Sequence, residues 1–265
     1  RWISPATFFM SRWTPSGDNE QPWRFELAGA DTVRIHLSPP DPANPYEYRS
    51  GEPILLAGGM LLESLRIAAS TLDHAMEWSA EPGGPPWRLR VRLWPDPDVA
   101  LSSLAAALPL RSVARGRLGT EALTPLQTAR LTEALGPDLA ITWHQSRAER
   151  WRLGRLGMLA TDIRLRARET FAVHRRIVDF LHPRSPTGIP VGSLGLDRAT
   201  ALLMRWAMRD WQRMHRLNRI AGTWGAALQM DLRPALASAA FFVIRPSQLP
   251  SRDVDAHRLL GFGER

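Results

Sequence analysis

The chain has 265 residues, of which 44% are hydrophobic and 23% charged, and these values exclude a disordered, collagen-like or coiled-coil protein. It has no cysteine, which excludes disulfides, thiolate nucleophiles and iron–sulfur clusters. The net charge is +8, and all 34 basic residues are arginine. Schiff-base chemistry on lysine is therefore excluded, and a bound phosphate would have to meet arginine, hydroxyl or backbone N–H groups.

The first part of the chain contains three predicted strands and one predicted helix. Residues 23–27 and 33–37 alternate between apolar and polar side chains, which predicts two strands. Apolar residues spaced three and four apart predict a helix over residues 55–78. Residues 87–94 alternate again and predict a third strand, with apolar side chains on one face and arginines on the other.

The second part is predicted to be mainly helical. A helix is expected over residues 124–135, a strand over 139–143 and a long helical stretch over 147–180. Asp197 is placed to cap a further helix, and the continuous apolar run 239–244 predicts a buried strand. The residues expected to face inward from the helix after Asp197 are Leu203, Trp206, Ala207, Trp211 and Met214.

These elements predict an α+β fold in a single domain spanning residues 1–265. Its two halves, roughly residues 1–105 and 106–265, have a similar order of elements. The longest apolar runs are far shorter than the ~20 residues that a membrane-spanning helix needs. We therefore expect a soluble, cytoplasmic protein without a membrane partner.

No catalytic side chain or metal site is predicted. The seven histidines are isolated, and none forms an HxH or HExxH spacing. Residues 192–195 (GSLG) lack the first glycine of the G-x-S-x-G nucleophile motif, which favours an ordinary loop. The chain also has no G-x-G-x-x-G sequence, so a Rossmann dinucleotide site has no support.

Arginine and tryptophan leave a nucleic-acid interaction open. Nine arginines lie within residues 147–176, and the chain has eleven tryptophans, whose rings stack on bases in some proteins. The arginines are spread over the chain without a basic arm or tail, and most tryptophans lie on apolar faces. We therefore favour a solvated or ion-paired arginine face and tryptophans in the core.

Two short segments have compositions suited to a ligand. Residues 15–19 (PSGDN) form a predicted tight turn before the first strand, and such a turn presents backbone N–H and amide groups to a planar polar ring. The alternative is an ordinary turn. Residues 111–115 (RSVAR) place two arginines around a serine hydroxyl, which suits an anion. That pattern also occurs often without function.

Together these segments resemble the FMN-binding nitroreductase family. Residues 12–25 (RWTPSGDNEQPWRF) are similar to its signature A-P-S-x-x-N-x-Q-P-W-x-F. The G-D-N version is similar to the branch that includes proteins named for molybdopterin biosynthesis and mycobacterial dormancy-associated proteins. Residues 56–69, 111–115 and 188–195 resemble further family elements, so the resemblance extends from about residue 12 to 245.

The resemblance implies a nitroreductase-like fold, with a mixed sheet flanked by helices, and a bound FMN. It also implies NAD(P)H as the electron donor and a homodimer or a single-chain pseudo-dimer. The implied contacts to the flavin ring are Pro15, Ser16, Gly17 and Asn19. Those implied for the phosphate are Arg111, Ser112 and Arg115, and Gly192 of the later loop completes the cofactor-binding set.

The expected function is therefore that of an FMN-dependent oxidoreductase, which passes electrons from a nicotinamide to a conjugated acceptor. The acceptor would be a nitro compound, a quinone or a biosynthetic intermediate, so the expected partner is a small molecule and not nucleic acid. Two alternatives remain open: a non-catalytic protein that binds or sequesters flavin, and an arginine- and tryptophan-rich nucleic-acid-binding protein.

Overall fold

The computed structural model describes residues 14–39, 41–47, 51–113, 118–135, 137 and 139–246. It has the α+β composition that the sequence predicts, with helices and both antiparallel and parallel strand pairs. Two compact units make up the chain: the first ends at Ser112 and the second begins at Val113. This division lies close to the predicted boundary between the halves, while the single-domain and nitroreductase-like arrangements stay predictions.

A four-stranded antiparallel sheet and one long helix form the first unit. The strands are β1 (Trp23–Leu27), β2 (Thr32–Leu37), β3 (His74–Ala80) and β4 (Arg88–Pro95), in the order β1-β2-β4-β3. The helix is α1 (Glu52–Ser70). The three strands predicted from alternating hydrophobicity are thus confirmed.

The core of this unit lies between the sheet and α1. Alternate residues of β2 and β4 point to one face because side chains in a strand have a period of two, and they meet the apolar side chains of α1. Burial of this apolar area is the main force holding the unit together. The core side chains from the two strands are Val33, Ile35, Leu37, Leu89, Val91 and Leu93, none more than 4% exposed.

The opposite face of the sheet is charged. Arg34 donates hydrogen bonds to Glu26 (3.1 Å) and Glu81 (2.8 Å), and Arg92 donates to Asp31 (2.8 Å). Arg34 lies directly across from Glu26 in the strand register. Exposed pairs of this kind contribute little to stability individually, but they favour this register over a slip that would bury the charges.

The predicted helix over residues 55–78 is wrong in its last third. The helix ends at Ser70, and the following residues turn back into β3, which pairs with β4. The hydroxyls of Ser70 and Thr71 donate to the carbonyls of Ile67 (2.8 Å) and Ala68 (2.7 Å), so they compete with helix propagation. Asp73 then adopts a left-handed conformation (φ 53°), which no periodicity of apolar residues reveals.

Helix α1 is long and apolar enough to cross a membrane by length and composition. Most of its apolar stretch is buried within the protein, where it packs against the sheet. Its hydrophobicity is therefore accounted for by its position in the core.

The second unit has two small sheets. Strand β5 (Leu139–His144) pairs antiparallel with β8 (Phe241–Pro246), and the two-residue strands β6 (Val178–Asp179) and β7 (Ile189–Pro190) pair in parallel. The predicted strand near residues 239–244 exists but is not buried. Its Phe242 is 52% exposed, since the two-stranded sheet has no covering layer on that face within the described residues.

Helices form the rest of the second unit. The N-cap of α2 is Thr124, as predicted, and it forms a capping box with Gln127. A π turn (Leu228–Leu232) joins α7 to α8 into one helical segment. The helices are α2 (Pro125–Glu133), α3 (Arg147–Arg166), α4 (Arg168–Ile177), α5 (Arg198–Ala207), α6 (Trp211–Ile220), α7 (Trp224–Ala227) and α8 (Arg233–Leu236).

The single helical stretch predicted over residues 147–180 is broken. Ala167 is extended (φ −82°, ψ 135°) and separates α3 from α4. A side chain from α6 satisfies a carbonyl near the break, because Asn218 donates through Nδ2 to the carbonyl of Leu165 at 2.6 Å. Thr170 also donates to the carbonyl of Ala167 at 2.9 Å. Local sequence patterns do not reveal the hydrogen bond between Asn218 and Leu165, because the two residues are 53 positions apart in sequence.

The inward-facing residues predicted after Asp197 are only partly correct. Ala207 and Met214 are buried and Trp211 packs against them. Leu203 and Trp206 are 44% and 41% exposed, because the chain turns between α5 and α6 and the apolar face does not continue.

Close packing of α3 on the segment from α7 to α8 depends on a glycine. A Cβ atom at Gly154 would lie 2.8 Å from the Cβ of Ala235 and 3.2 Å from the Cα of Leu232. Gly225, on α7, has no heavy atom within 4 Å of the same position. Close packing therefore requires a glycine at position 154 but not at position 225.

We expect Gly154→Ala to lower the free energy of unfolding by about 1–3 kcal/mol, the range for overpacking a filled interface. Gly225→Ala is the matched control, and it should be neutral or slightly stabilising because alanine has the better helix propensity. Denaturant titration of both variants measures the difference. Equal stabilities would contradict the close approach at Gly154.

Candidate functional site

The turn that the sequence singles out lies directly before β1. Its centre is a 3₁₀ turn, Gly17–Asn19. The hydroxyl oxygen of Ser16 accepts a hydrogen bond from the backbone N–H of Gln21 (3.0 Å), and the carbonyl of Ser16 accepts one from the N–H of Asn19 (3.1 Å). Ser16 thus closes the turn through both its side chain and its backbone.

The backbone of this turn is strained. Asp18, Asn19 and Gln21 have φ values of 51°, 57° and 49°, in the left-handed region that favours glycine. Aspartate and asparagine tolerate this region better than other residues, so Gln21 bears the largest cost, about 1–2 kcal/mol relative to a right-handed conformation. Strained residues of this kind concentrate at binding and active sites, so the turn is a candidate site on geometry as well as on sequence.

Gly17 gives the turn an open surface. It is exposed, and a Cβ atom built on it would meet no heavy atom within 4 Å. Its backbone N–H has no hydrogen-bond acceptor within the described part of the chain. The position therefore offers a hydrogen-bond donor beside open space. Pro15, on its N-terminal side, is partly buried.

Carboxylates surround this turn. The pKa of Glu47 is raised by burial and, in addition, by the nearby charges of Glu20, Asp18 and Asp41. One carboxylate oxygen of Glu47 is buried and has no hydrogen-bond partner among the described residues. An anionic group would be repelled here, whereas a neutral ring would not. Local sequence analysis missed this cluster because Glu47 approaches the turn from a separate loop.

The second predicted segment lies near the end of the first unit. Arg111 and Ser112 are exposed and follow a 3₁₀ helix, Leu108–Leu110. The N–H of Arg111 donates to the carbonyl of Ala107 at 2.9 Å. Partial desolvation lowers the pKa of the Arg111 guanidinium, which stays charged at neutral pH because an arginine pKa starts so high. Arg115 lies outside the described residues.

Both segments rest on α1. The turn at Gly17–Asn19 contacts this helix. Leu108, 7% exposed, packs against Ile67 and Ala68 near its C-terminal end, and the hydroxyl of Ser70 accepts a hydrogen bond from the N–H of Ser102. One rigid element therefore supports the strained turn and the chain leading into Arg111.

Gly192 belongs to the second unit. It lies in a 3₁₀ helix, Val191–Leu194, and a Cβ atom there would meet nothing within 4 Å. Gly188, in contrast, has φ 78° and lies so close to the carbonyl of Ile177 that a Cβ atom would be 2.5 Å from its oxygen. Packing explains the glycine at 188 and leaves Gly192 available for another role.

Two strongly acidic carboxyl groups in the second unit have structural explanations. The pKa of Glu149 is lowered to about 2 by the hydroxyl of Ser146 and the ring of His144, and Glu149 completes the capping box of α3. The pKa of Asp179 is also lowered to about 2, first by the backbone N–H of Leu181 and then by His182. Within the described residues, no three His, Asp or Glu side chains cluster in a way that would hold a metal ion.

No protein-family model matches the chain, and no curated protein sequence matches it. The resemblance to nitroreductases accordingly depends on the motifs themselves and stays a prediction.

We expect Glu47→Gln to raise the melting temperature at pH 7. A carboxyl whose folded pKa is raised opposes folding once it ionises, so the wild type loses stability as pH rises through and above about 4.5. The amide removes this loss, and the difference between variant and wild type should vanish at pH values where both states are protonated. Thermal unfolding from pH 3.5 to 8 measures it.

Glu133→Gln, at the exposed end of α2, is the control for removal of one carboxylate, and its effect should not follow the same pH curve. A Glu47→Gln variant that is no more stable than the wild type at pH 7 would contradict the acidic environment assigned to Glu47.

Proposed function

We propose that the chain binds FMN, with the flavin ring at the turn around Gly17 and the phosphate at the segment from Arg111 to Arg115. The observation that carries this proposal is the strained turn in which Asp18, Asn19 and Gln21 all have positive φ and Gly17 is exposed. The turn has the sequence that resembles the flavin contact of nitroreductases, and its geometry is that of a constrained binding loop.

The properties of the two segments suit opposite ends of this cofactor. The N–H of Gly17 is a donor for a carbonyl or ring nitrogen, and the free space beside it suits a flat group. The acidic neighbours of the turn disfavour a phosphate there. Arg111 and Ser112 offer a guanidinium and a hydroxyl on the same unit, and these are the groups that recognise phosphate without lysine.

Bound FMN would supply the redox chemistry, accepting a hydride from NAD(P)H and passing electrons to a conjugated acceptor. The chain contributes binding and orientation: Ser16 holds the turn closed and Gly17 donates to the ring. Arg111, with Arg115, neutralises the phosphate. No side-chain acid or base is required of the protein in this proposal.

The nucleic-acid alternative is favoured by a different observation, the division of charge between the units. Residues 1–112 have 10 arginines and 13 acidic residues, whereas residues 113–249 have 21 arginines and 10 acidic residues. Contrary to the expectation of core tryptophans, Trp151 and Trp206 are 45% and 41% exposed. The guanidinium of Arg155 lies 5.0 Å from the ring centroid of Trp151, and that of Arg213 lies 5.5 Å from the ring centroid of Trp206. Such pairs offer stacking surfaces for bases.

Purified protein should contain FMN, or take it up, with a flavin absorption spectrum. Denaturation should release the chromophore intact, because no covalent link is proposed, and mass spectrometry identifies it. Steady-state oxidation of NAD(P)H with a quinone or nitro compound then separates an oxidoreductase from a protein that only holds flavin. Absence of both colour and a thermal shift with excess FMN would remove the proposal.

Arg111→Ala and Arg115→Ala should each weaken FMN binding by about 10- to 150-fold, since a hydrogen bond to a charged group contributes about 1.5–3 kcal/mol. Arg90→Ala is the control, because Arg90 lies on the charged face of β4, 3.9 Å from Glu81. Fluorescence quenching of added FMN gives the three affinities. If all three variants bind like the wild type, the phosphate site lies elsewhere.

Gly17→Ala should leave the stability of the protein unchanged and weaken FMN binding. The added methyl group has free space in the protein itself but would occupy the position proposed for the ring. Gly29→Ala, in the β1–β2 hairpin turn, is the matched control, since a Cβ there makes only ordinary contacts of 3.6 Å or more. Unchanged FMN affinity in Gly17→Ala would exclude the ring from this position.

For the alternative, binding of single-stranded DNA should weaken steeply with salt if the arginine-rich unit contacts phosphates. Anisotropy titrations from 50 to 300 mM salt test this, with Trp151→Ala removing one stacking surface. A flavin-containing protein whose DNA binding is absent at 50 mM salt would eliminate the alternative.

A further inference from the structure

The second unit contains a cavity of about 170 Å³ that the proposed FMN site does not use. It is bounded by α5, α6, the loop after α6 and the segment that begins with α7. It is partly open to solvent, so it is a surface pocket and not a void left by imperfect packing of the interior. It is comparable to an engineered protein cavity of ~150 Å³ that binds benzene.

The lining is uncharged, although the unit around it has 21 arginines. Leucine, methionine, alanine and glycine make up most of the wall, and the only polar side chains are Thr200, Asn218 and Thr223. A ligand with a formal charge would lose its hydration without gaining a counter-charge. The lining therefore favours an uncharged ligand over an anion.

The polar side chains of the wall are largely engaged with the protein itself. Thr200 donates to the carboxylate of Asp197 (3.0 Å) and accepts from Gln229 (3.1 Å). Asn218 donates to the carbonyl of Leu165, and Thr223 donates to Asp162. A ligand thus finds an apolar surface, with the side-chain oxygen of Asn218 as one hydrogen-bond acceptor that has no donor within the described residues.

Three methionines give the wall its adaptability. Met204, Met214 and Met230 approach the cavity from three different elements, and flexible thioether side chains adjust to ligands of different outline. Leu203, also in the lining, is 44% exposed, so the cavity is reached from solvent. Access and an adaptable apolar wall distinguish it from a sealed void.

We propose that this cavity binds a small, uncharged aromatic molecule of about the size of a substituted benzene. None of the residues of the wall belongs to the FMN site proposed above, so the two proposals are independent of each other. A ring fills the apolar space, and a hydroxyl or amino substituent on it would donate to the oxygen of Asn218.

The test uses the full chain with its methionine methyl groups labelled with ¹³C, and fluorobenzene as the probe. Fluorobenzene should shift the methyl signals of Met204, Met214 and Met230 saturably and leave those of Met60 and Met76, in the first unit, unchanged. 4-Fluorobenzoate, which has the same ring with a negative charge, should bind at least ten-fold more weakly. The affinities come from ¹⁹F line broadening.

Ala226→Leu places extra volume in the cavity and should weaken fluorobenzene binding at least ten-fold, while Ala199→Leu, on the exposed side of α5, should not. The methyl shifts in the wild type decide the matter even if Ala226→Leu does not fold. Met158, on α3, lines a different pocket and reports binding there. No saturable shift, shifts centred on Met158, or equal or tighter binding of 4-fluorobenzoate would each overturn the proposal.

Discussion

Packing of α1 against the apolar face of β2 and β4 is the interaction on which the first unit depends. Leu61, Leu62 and Leu65 of the helix are fully buried against strand residues that are themselves inaccessible to solvent. This contact fixes the sheet, from which the strained turn extends before β1, and it supports the chain that leads to Arg111. A cavity-forming change at Leu65 would therefore disturb both candidate segments as well as the core.

The second unit is held together differently. Its largest described cluster on the helices is small, built around Phe171, Ala207, Met208 and Met214. Polar contacts and close backbone approaches supplement this core: Asn218 satisfies a carbonyl at the break between α3 and α4, and Gly154 admits the π turn. The 170 Å³ cavity lies beside this cluster, and Ala207 and Met214 belong to both.

Sequence patterns predicted the elements whose stabilising contacts are local or periodic. The strands at β1, β2 and β4 and the capping box at Thr124 have signals within a few residues. The patterns failed where a distant partner decides the structure, as in the end of α1, where β3 completes the sheet, and in the break at Ala167, which Asn218 supports. They also overestimated burial, because a continuous apolar run cannot show whether a layer covers the strand, and no such layer covers Phe242 among the described residues.

For the candidate site, the residue types of the turn were visible in sequence, and Asp18 and Asn19 are types that tolerate positive φ, but Gln21 carries no such signal. Ser16 and the pairing of Trp23 in β1 hold this conformation from both ends, through the chain's own hydrogen bonds. The cost of the strained conformation is therefore included in the free energy of folding, and ligand binding does not have to supply it. A turn fixed in this way holds the Gly17 N–H in one orientation. A ligand that accepts a hydrogen bond from this N–H therefore does not have to order the loop, and its affinity is reduced little by the entropy of ordering.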